Sequence, residues 1–446
     1  MTSESAPTGV RLDDLTASTP PPGPRLPLGL QTVLFGSFRH LWLPRLRRRY
    51  GDVVRLRIYP DRDVVQLADI DHIREVFSGP ATVFHAGEGN VILEPAMGVH
   101  SVLLTDEDEH LRARKLLMPA FNGAALRGYR ALVAELTDRE VRRWPTGTPF
   151  SVHTRMQALT LEIILQVVFG VTDGPRLVAL RRLLRRIADV GPIELLGWYN
   201  PRLERFGPWK RYAHTRRRAD ELLYAEIAER RRATDLDSRQ DVLSRLLTVP
   251  AEDDRLTDVE LRDQLITLLL AGHETTATAL AWAFHDLARD RGQLTEATRA
   301  ADAGDEKYLE AVVKEAMRLH PVILEVTRKL TRDVEIGGYR IPAGHTVMPS
   351  IGLVQADPAH HPDPGAFRPQ RFLDGGPAPG TWFPFGGGVR RCLGAGFSLL
   401  EGTTVLQAVL SRYDLAPDRA RPEPARARNI TMVPARGAKV VVTQRT

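Results

Sequence analysis

Apolar residues recur at three- and four-residue intervals through most of this chain, so helical patterns dominate it. They run from Leu126 to Arg232 with breaks at Pro145, Pro192, Pro201 and Pro208. A shorter helix is expected over Leu41–Tyr50, ending at Gly51. Thr257-x-x-Glu260 forms a capping box, and the pattern after it continues to about Arg289. A helix of that length measures about 50 Å, enough to cross a whole domain. Tyr308–His320 is amphipathic, with Leu309, Val312, Val313 and Ala316 on one stripe. After Gly394 the positions Phe397, Leu399, Leu400, Val405, Leu406 and Val409 predict a buried helix. Strand patterns are few and short. Val53–Ile58 and Val64–Leu67 flank the turn Pro60–Asp63, and Lys439–Thr443 closes the chain. Val322–Arg332 and Val334–Ile341 are also expected as strands, with turns at Gly337-Gly338 and Pro342-Ala343-Gly344.

Composition narrows the class. Hydrophobic residues make up 43% and charged residues 26% of 446, as in ordinary globular chains. Residues 1–24 are polar and proline-rich and are expected to form a flexible tail ahead of a single domain over 25–446. A single cysteine excludes a disulfide scaffold and a cysteine-ligated iron–sulfur cluster. No stretch approaches the roughly 20 apolar residues of a membrane span, and the first residues lack an apolar signal core. A cytoplasmic protein is expected. The net charge of +6 invites a nucleic-acid reading. The basic residues fall in short helical runs such as Arg216-Arg217-Arg218, which read as solvated faces with no accompanying motif. No nucleic-acid partner is expected, and an acidic protein partner makes better use of the charge.

The candidate chemistry centres on that one cysteine. Cys392 follows Gly386-Gly387-Gly388, whose backbone freedom permits close approach to a flat partner, and it precedes the predicted helix. Helix N-termini favour a thiolate, and a thiolate in such a loop is a good axial ligand for haem iron. Alone, a single cysteine is more often a small buried hydrophobe. The surrounding spacing, Phe385-x-x-Gly388-x-Arg390-x-Cys392-x-Gly394, resembles the haem-ligand signature of the cytochrome P450 family.

Other segments follow in the order of that family. His110 and Arg114 share one helix face ahead of Pro119-Ala120-Phe121 and resemble its haem-propionate clamp. Ala271-Gly272-His273-Glu274-Thr275-Thr276 is similar to its oxygen-activation segment, with Glu274 and Thr275 as acid and alcohol. Gly272 costs roughly 1 kcal/mol in mid-helix and so implies a steric purpose. His273-Glu274 also begins a zinc-protease motif, but Ala277 stands where the second histidine is needed. His273 is expected to make a local hydrogen bond. Glu315 and Arg318, with Arg371, resemble the family's structural triad. His360, His361 and Asp363 sit among prolines and are expected at the surface.

The resemblance implies a mainly α fold with a small β-rich region, one domain enclosing haem b. It implies that Cys392 binds iron, that His110, Arg114, Arg328 and Arg390 meet the haem carboxylates, and that Phe385, Gly388 and Ala271 line the cofactor. Substrate would lie near Ala271 and Val326, beneath an apolar lid over Ile193–Trp209. It further implies hydroxylation or epoxidation of an apolar small molecule with O2, Glu274 and Thr275 relaying protons. Gly394-x-Gly396 is only a fragment of a nucleotide fingerprint. NAD(P)H is therefore expected to act only indirectly, through ferredoxin and ferredoxin reductase, docking near Arg112, Lys115 and Arg391. The alternative is a non-catalytic haem-binding sensor or carrier, against which Glu274 and Thr275 weigh.

Overall fold

The computed structural model describes residues 20–170, 174–190, 201–249, 255–373 and 375–445. Residues 193–200 of the expected lid lie outside these residues; the rest of it is a 3-10 turn over Pro201–Arg205 and the start of the helix at Gly207. Of the expected tail, residues 1–19 also lie outside them. Pro21–Pro24 is packed, with the Pro22 carbonyl accepting from the Arg55 N–H at 2.9 Å.

The helices, in chain order, begin with α1 (Leu28–Tyr50), α2 (Ile70–Ser78), α3 (Ala86–Gly89), α4 (Glu94–Met97) and α5 (Glu107–Leu117). Next come α6 (Gly123–Val141), α7 (Val152–Phe169), α8 (Pro175–Ala188), α9 (Gly207–Arg230) and α10 (Val242–Leu247). The last five are α11 (Asp258–Leu287), α12 (Arg291–Ala303), α13 (Glu306–Leu319), α14 (Ile351–Gln355) and α15 (Ala395–Leu410). The helix expected from Leu41 starts thirteen residues earlier, at Leu28. Its first half is apolar on both faces and is kinked at Phe38, so no one-sided periodicity marks it. The capping box does open α11: the Thr257 hydroxyl accepts from the Glu260 N–H, and the Glu260 carboxylate accepts from the Thr257 N–H. α11 then runs through the helical core, where Leu265, Leu269, Leu280, Trp282 and Phe284 are buried.

A five-stranded sheet lies to one side, ordered β1-β2-β8-β5-β3, with β1 Val53–Leu56, β2 Val64–Leu67, β3 Phe84–His85, β5 Arg328–Leu330 and β8 Thr346–Pro349. The strand expected over Val322–Arg332 shrinks to β5, because the residues ahead of it join the sheet only by an isolated bridge of Glu325 to Ser350. Val334–Ile341 forms the hairpin β6 (Val334–Ile336) and β7 (Tyr339–Ile341). Its turn residues Gly337 and Gly338 have φ of 59° and 76°, as the expected turn requires. A smaller sheet joins β4 (Phe150–Ser151), β12 (Lys439–Gln444) and β9 (Tyr413–Pro417), while β10 (Ala425–Arg428) and β11 (Thr431–Pro434) form a separate hairpin.

Two buried polar networks pin these layers together. Arg318 donates to both Glu315 oxygens at 2.7 and 2.9 Å, and its remaining N–H groups reach the carbonyls of Gln355, Pro364 and Ala366. Arg371 completes the triad, 3.2 Å from Glu315. The expected triad therefore ties α13 to the irregular segment ahead of the cysteine loop. His361 corrects the expected surface placement. It is buried, with Nε2 at 3.0 Å from the Thr381 carbonyl, and so fixes that segment from within. Asp363 pairs with Arg368 at the surface.

The second network joins Asp286 at the end of α11 to His285 at 2.8 Å and His320 at 2.9 Å, with the Trp282 ring stacked on His320. Burial alone would raise the Asp286 carboxyl, but the two imidazoles outweigh it and hold it at about 2. That lies below its ordinary 3.8, so the network's contribution is complete above pH 3.8 and is lost as pH falls toward 2. Asp286→Asn should cost about 2 kcal/mol near neutral pH, with the gap to wild type closing below pH 4. Unfolding midpoints of both proteins across that range will show it, and a gap independent of pH would refute it.

Candidate active site

The cysteine loop is a tight return of the backbone. Gly386 N–H donates to the Phe383 carbonyl, and Cys392 N–H donates to the Phe385 carbonyl, both at 2.9 Å. Gly388 has φ of 62°, and a Cβ there would overlap the Phe77 carbonyl oxygen. At Gly387 a Cβ would strike the Phe77 ring. The glycine run thus lets the loop lie directly on the end of α2. Cys392 sits three residues ahead of α15, whose cap is Gly394, rather than at the helix start itself. It is accessible to solvent, yet surrounded densely enough that burial raises its thiol. The Gly394 N–H and the guanidinium groups of Arg391 and Arg114 pull the other way. A coordinated metal deprotonates such a thiol outright.

Basic side chains from three separate elements meet beside this loop: the guanidinium groups of Arg114 of α5, Arg328 of β5 and Arg390 of the loop, and the imidazole of His110 of α5. Burial lowers the His110 imidazole to about 4, and Arg390, Arg114 and Arg328 add to the effect. Burial likewise lowers Arg328 to about 10, with Arg390 repelling it further. One carboxylate answers them. Asp106 pairs with Arg390, which also donates to the carbonyls of Thr105 at 2.6 Å and Val102 at 3.2 Å. Arg390 is therefore only partly available for the expected propionate role. Arg328 donates to the Thr327 carbonyl at 2.7 Å and lies 5.8 Å over the Phe77 ring. Among the described residues, Arg114 and His110 have no side-chain hydrogen bond. Such an excess of buried positive charge fits a ligand carrying carboxylates beside a thiolate-bound metal. Haem supplies both features.

A second cluster is built on α11. Ala271 is exposed and Thr275 half-buried in a helix that is otherwise largely buried. The Thr275 hydroxyl donates to the Ala271 carbonyl at 2.8 Å, as threonines in helices do. Thr276 points elsewhere, reaching Ser398 of α15 at 3.1 Å. His273 makes the expected local bond, Nδ1 to the Leu269 carbonyl at 2.8 Å. Gly272 serves close packing, since a Cβ there would lie 3.1 Å from Ile164 of α7. Glu274 is engaged on both oxygens: Gln157 donates to one, and Arg428 lies 3.2 Å from the other. His153 stands 3.6 Å away.

The structure thus joins His110, Arg114, Arg328, Arg390 and Cys392 in one group, and Ala271, Glu274 and Thr275 in another. Phe385 and Gly388 belong to the loop wall, and Phe385 also packs on Trp382. Sequence reasoning missed Asp106, Phe77, Gln157 and Arg428. Asp106 falls in the acidic run Asp106–Glu109 and carries no motif, and Arg428 lies in a strand without one. Arg112 corrects another expectation: it pairs with Glu260 of the capping box at 2.6 Å and is not free for a partner.

A model of the family described as "Cytochrome P450" matches residues 20–442. "Putative cytochrome P450 135A1" of Mycobacterium tuberculosis is 51% identical over 421 residues, covering 94% of each chain. "Putative cytochrome P450 135B1" of Mycobacterium bovis is 44% identical over 430 residues, 95% of this chain and 91% of that protein. Among solved structures, "Retinoic acid bound cyanobacterial CYP120A1" superposes with a TM-score of 0.82 over 96% of this chain and all of the other. At 22% identity that likeness shows the fold.

The cation cluster makes a direct prediction. Arg328→Ala or Arg114→Ala should weaken haem retention about tenfold, the value of one charge-assisted contact. Arg217→Ala, on an exposed face of α9, should leave it unchanged. The ratio of haem to protein absorbance after exhaustive dialysis reads the difference, and equal ratios in all three variants would dismiss the clamp.

Proposed function

The chain belongs to the cytochrome P450 family of haem-dependent monooxygenases, and we propose that it holds haem b through Cys392 and hydroxylates or epoxidises an apolar small molecule. The observation that carries the specific assignment is the meeting of one cysteine with a cluster of undercompensated buried cations. Bound there, the haem supplies the reduction of dioxygen and the transfer of one oxygen atom. The protein's own residues do the rest. Cys392 holds the iron, and Arg114, Arg328 and His110 meet the carboxylates, with Arg390 sharing its charge between them and Asp106. Glu274 would hold a proton on its carboxylate, and the Thr275 hydroxyl, beside Ala271 on the same helix, would pass it on. Arg428 and Gln157 keep Glu274 in place until then.

Two electrons come from NAD(P)H through a ferredoxin and its reductase. The docking face we assign includes Arg391 and Lys115, with Leu111, Met118 and Val389 about half exposed near them. Its charge suits an acidic partner. The absence of any cysteine pair in the sequence supports work in the cytoplasm. The sensor or carrier alternative loses its support, because family membership makes the chain a monooxygenase.

The dithionite-reduced protein under carbon monoxide should show the far-red-shifted Soret band of thiolate ligation, and Cys392→His should abolish it. A wild-type spectrum of histidine ligation would overturn the assignment. For proton delivery, Thr275→Ala should keep that spectrum and continue to consume NADPH. Product per NADPH should fall several-fold as hydrogen peroxide rises. Thr275→Ser should retain coupling, and Thr276→Ala, whose hydroxyl faces Ser398, should not uncouple. Uncoupling by Thr276→Ala alone would move the relay to the other alcohol.

A further inference from the structure

Asp106 stands at the position that should cap α5, yet its side chain makes no cap hydrogen bond there. It turns instead to α3, accepting from the N–H groups of Gly87 at 2.9 Å and Glu88 at 3.0 Å. The same carboxylate pairs with Arg390 of the cysteine loop. Three segments of the chain therefore meet on one acid. The backbone bends sharply at this point: Glu107, the next residue, has φ of 46°, a left-handed value that non-glycine residues seldom take. Gly87 is pressed against the Leu104 carbonyl, which a Cβ would overlap.

Arg390 also donates to the Thr105 and Val102 carbonyls, so it does not depend on Asp106 alone for its place. His85 of β3 stands 3.8 Å from Asp106, with its ring nitrogens 2.8 Å from Glu88 and Glu107. His85, Glu88 and Asp106 are spaced to hold a cation, but the Arg390 guanidinium already takes that place. What Asp106 brings to Arg390 is above all charge. Its carboxylate opposes the lowering by burial at Arg390, Arg328 and His110 alike. A negative charge beside a redox centre disfavours adding an electron, and burial strengthens the effect.

We propose that Asp106 sets the reduction potential of the haem, holding one negative charge against Arg390 so that the iron is harder to reduce. This rests on Arg390 meeting a haem carboxylate, with Asp106 acting through it as a positioning residue.

Redox titration of the full-length haem-loaded protein, followed in the visible spectrum, tests it. Asp106→Asn keeps the size of the side chain and removes its charge. Its reduction equilibrium should shift about tenfold toward the ferrous form, about 59 mV upward for one electron. Asp106→Glu keeps the charge and should stay near the wild-type potential. Asp108→Asn removes the same charge from an exposed position of α5 and should shift the equilibrium by less than about twofold. Haem transfer from Asp106→Asn to apomyoglobin should be no faster than from wild type, because Arg390 is then left to the haem carboxylate. Faster transfer with an unshifted potential would make Asp106 a structural clamp and overturn the proposal, as would an Asp106→Asn protein unable to load haem. Equal shifts in Asp106→Asn and Asp108→Asn would also overturn it, because net charge alone would then explain both. The carbon monoxide spectrum of wild type tells these failures from that of the haem assignment. Histidine-type ligation there sinks both, whereas thiolate ligation with an unshifted Asp106→Asn sinks this proposal alone.

Discussion

Three guanidinium groups crowded around one buried imidazole set the terms for this fold. Arg114, Arg328 and Arg390 reach one place from α5, β5 and the cysteine loop beside the imidazole of His110; burial lowers all four, Arg391 adds to the effect on Arg114, and neighbours within the group add to it for the other three. At an effective dielectric near 20, such neighbours repel by a few kcal/mol. The elements that carry them would drift apart unless something else held them. Asp106 answers only part of the repulsion. The rest falls to packing: β5 paired between β3 and β8, the loop seated on Phe77, and α5 capped onto the body by Arg112 and Glu260.

The Glu315–Arg318–Arg371 triad belongs to the same economy. Burying an ion pair is expensive, and removing one partner costs more than replacing both. Here the cost is offset by saturating the guanidinium of Arg318 with three carbonyls as well as the carboxylate. That arrangement gives the residues between Gln355 and Arg371 a fixed path although they form little regular structure. The cysteine loop begins twelve residues after Arg371, at Phe383, and His361 on the Thr381 carbonyl fixes the approach to it.

Much of this was legible in the sequence because it rests on local rules. The capping box at Thr257, the glycine turn at 337–338 and the loop spacing around Cys392 depend on residues close together in the chain. The misses share a different cause. α1 began thirteen residues before its expected start because both faces of its first half are apolar, which erases the period that marks a helix. His361 looked like a surface residue among prolines, and only the distant Thr381 makes it an interior one. Arg112 looked available because Glu260 lies 148 positions away. Asp106, Gln157 and Arg428 take their roles from contacts that no local pattern announces. Family resemblance singles out the residues of the two candidate clusters, but not the counter-charges beside them.

Arg428 shows what such a distant contact entails. From the tip of a hairpin it reaches Glu274 of α11 at 3.2 Å and Asp189, just past the end of α8, at 2.8 Å. One guanidinium is thereby shared between the carboxylate we assign to proton delivery and the segment leading out of α8. Any lineage that reshapes the hairpin shifts the counter-charge of Glu274 with it, and any that shortens α8 frees Arg428 to lean further on Glu274. The hairpin and the end of α8 thus bear on the electrostatic surroundings of Glu274 through a single side chain.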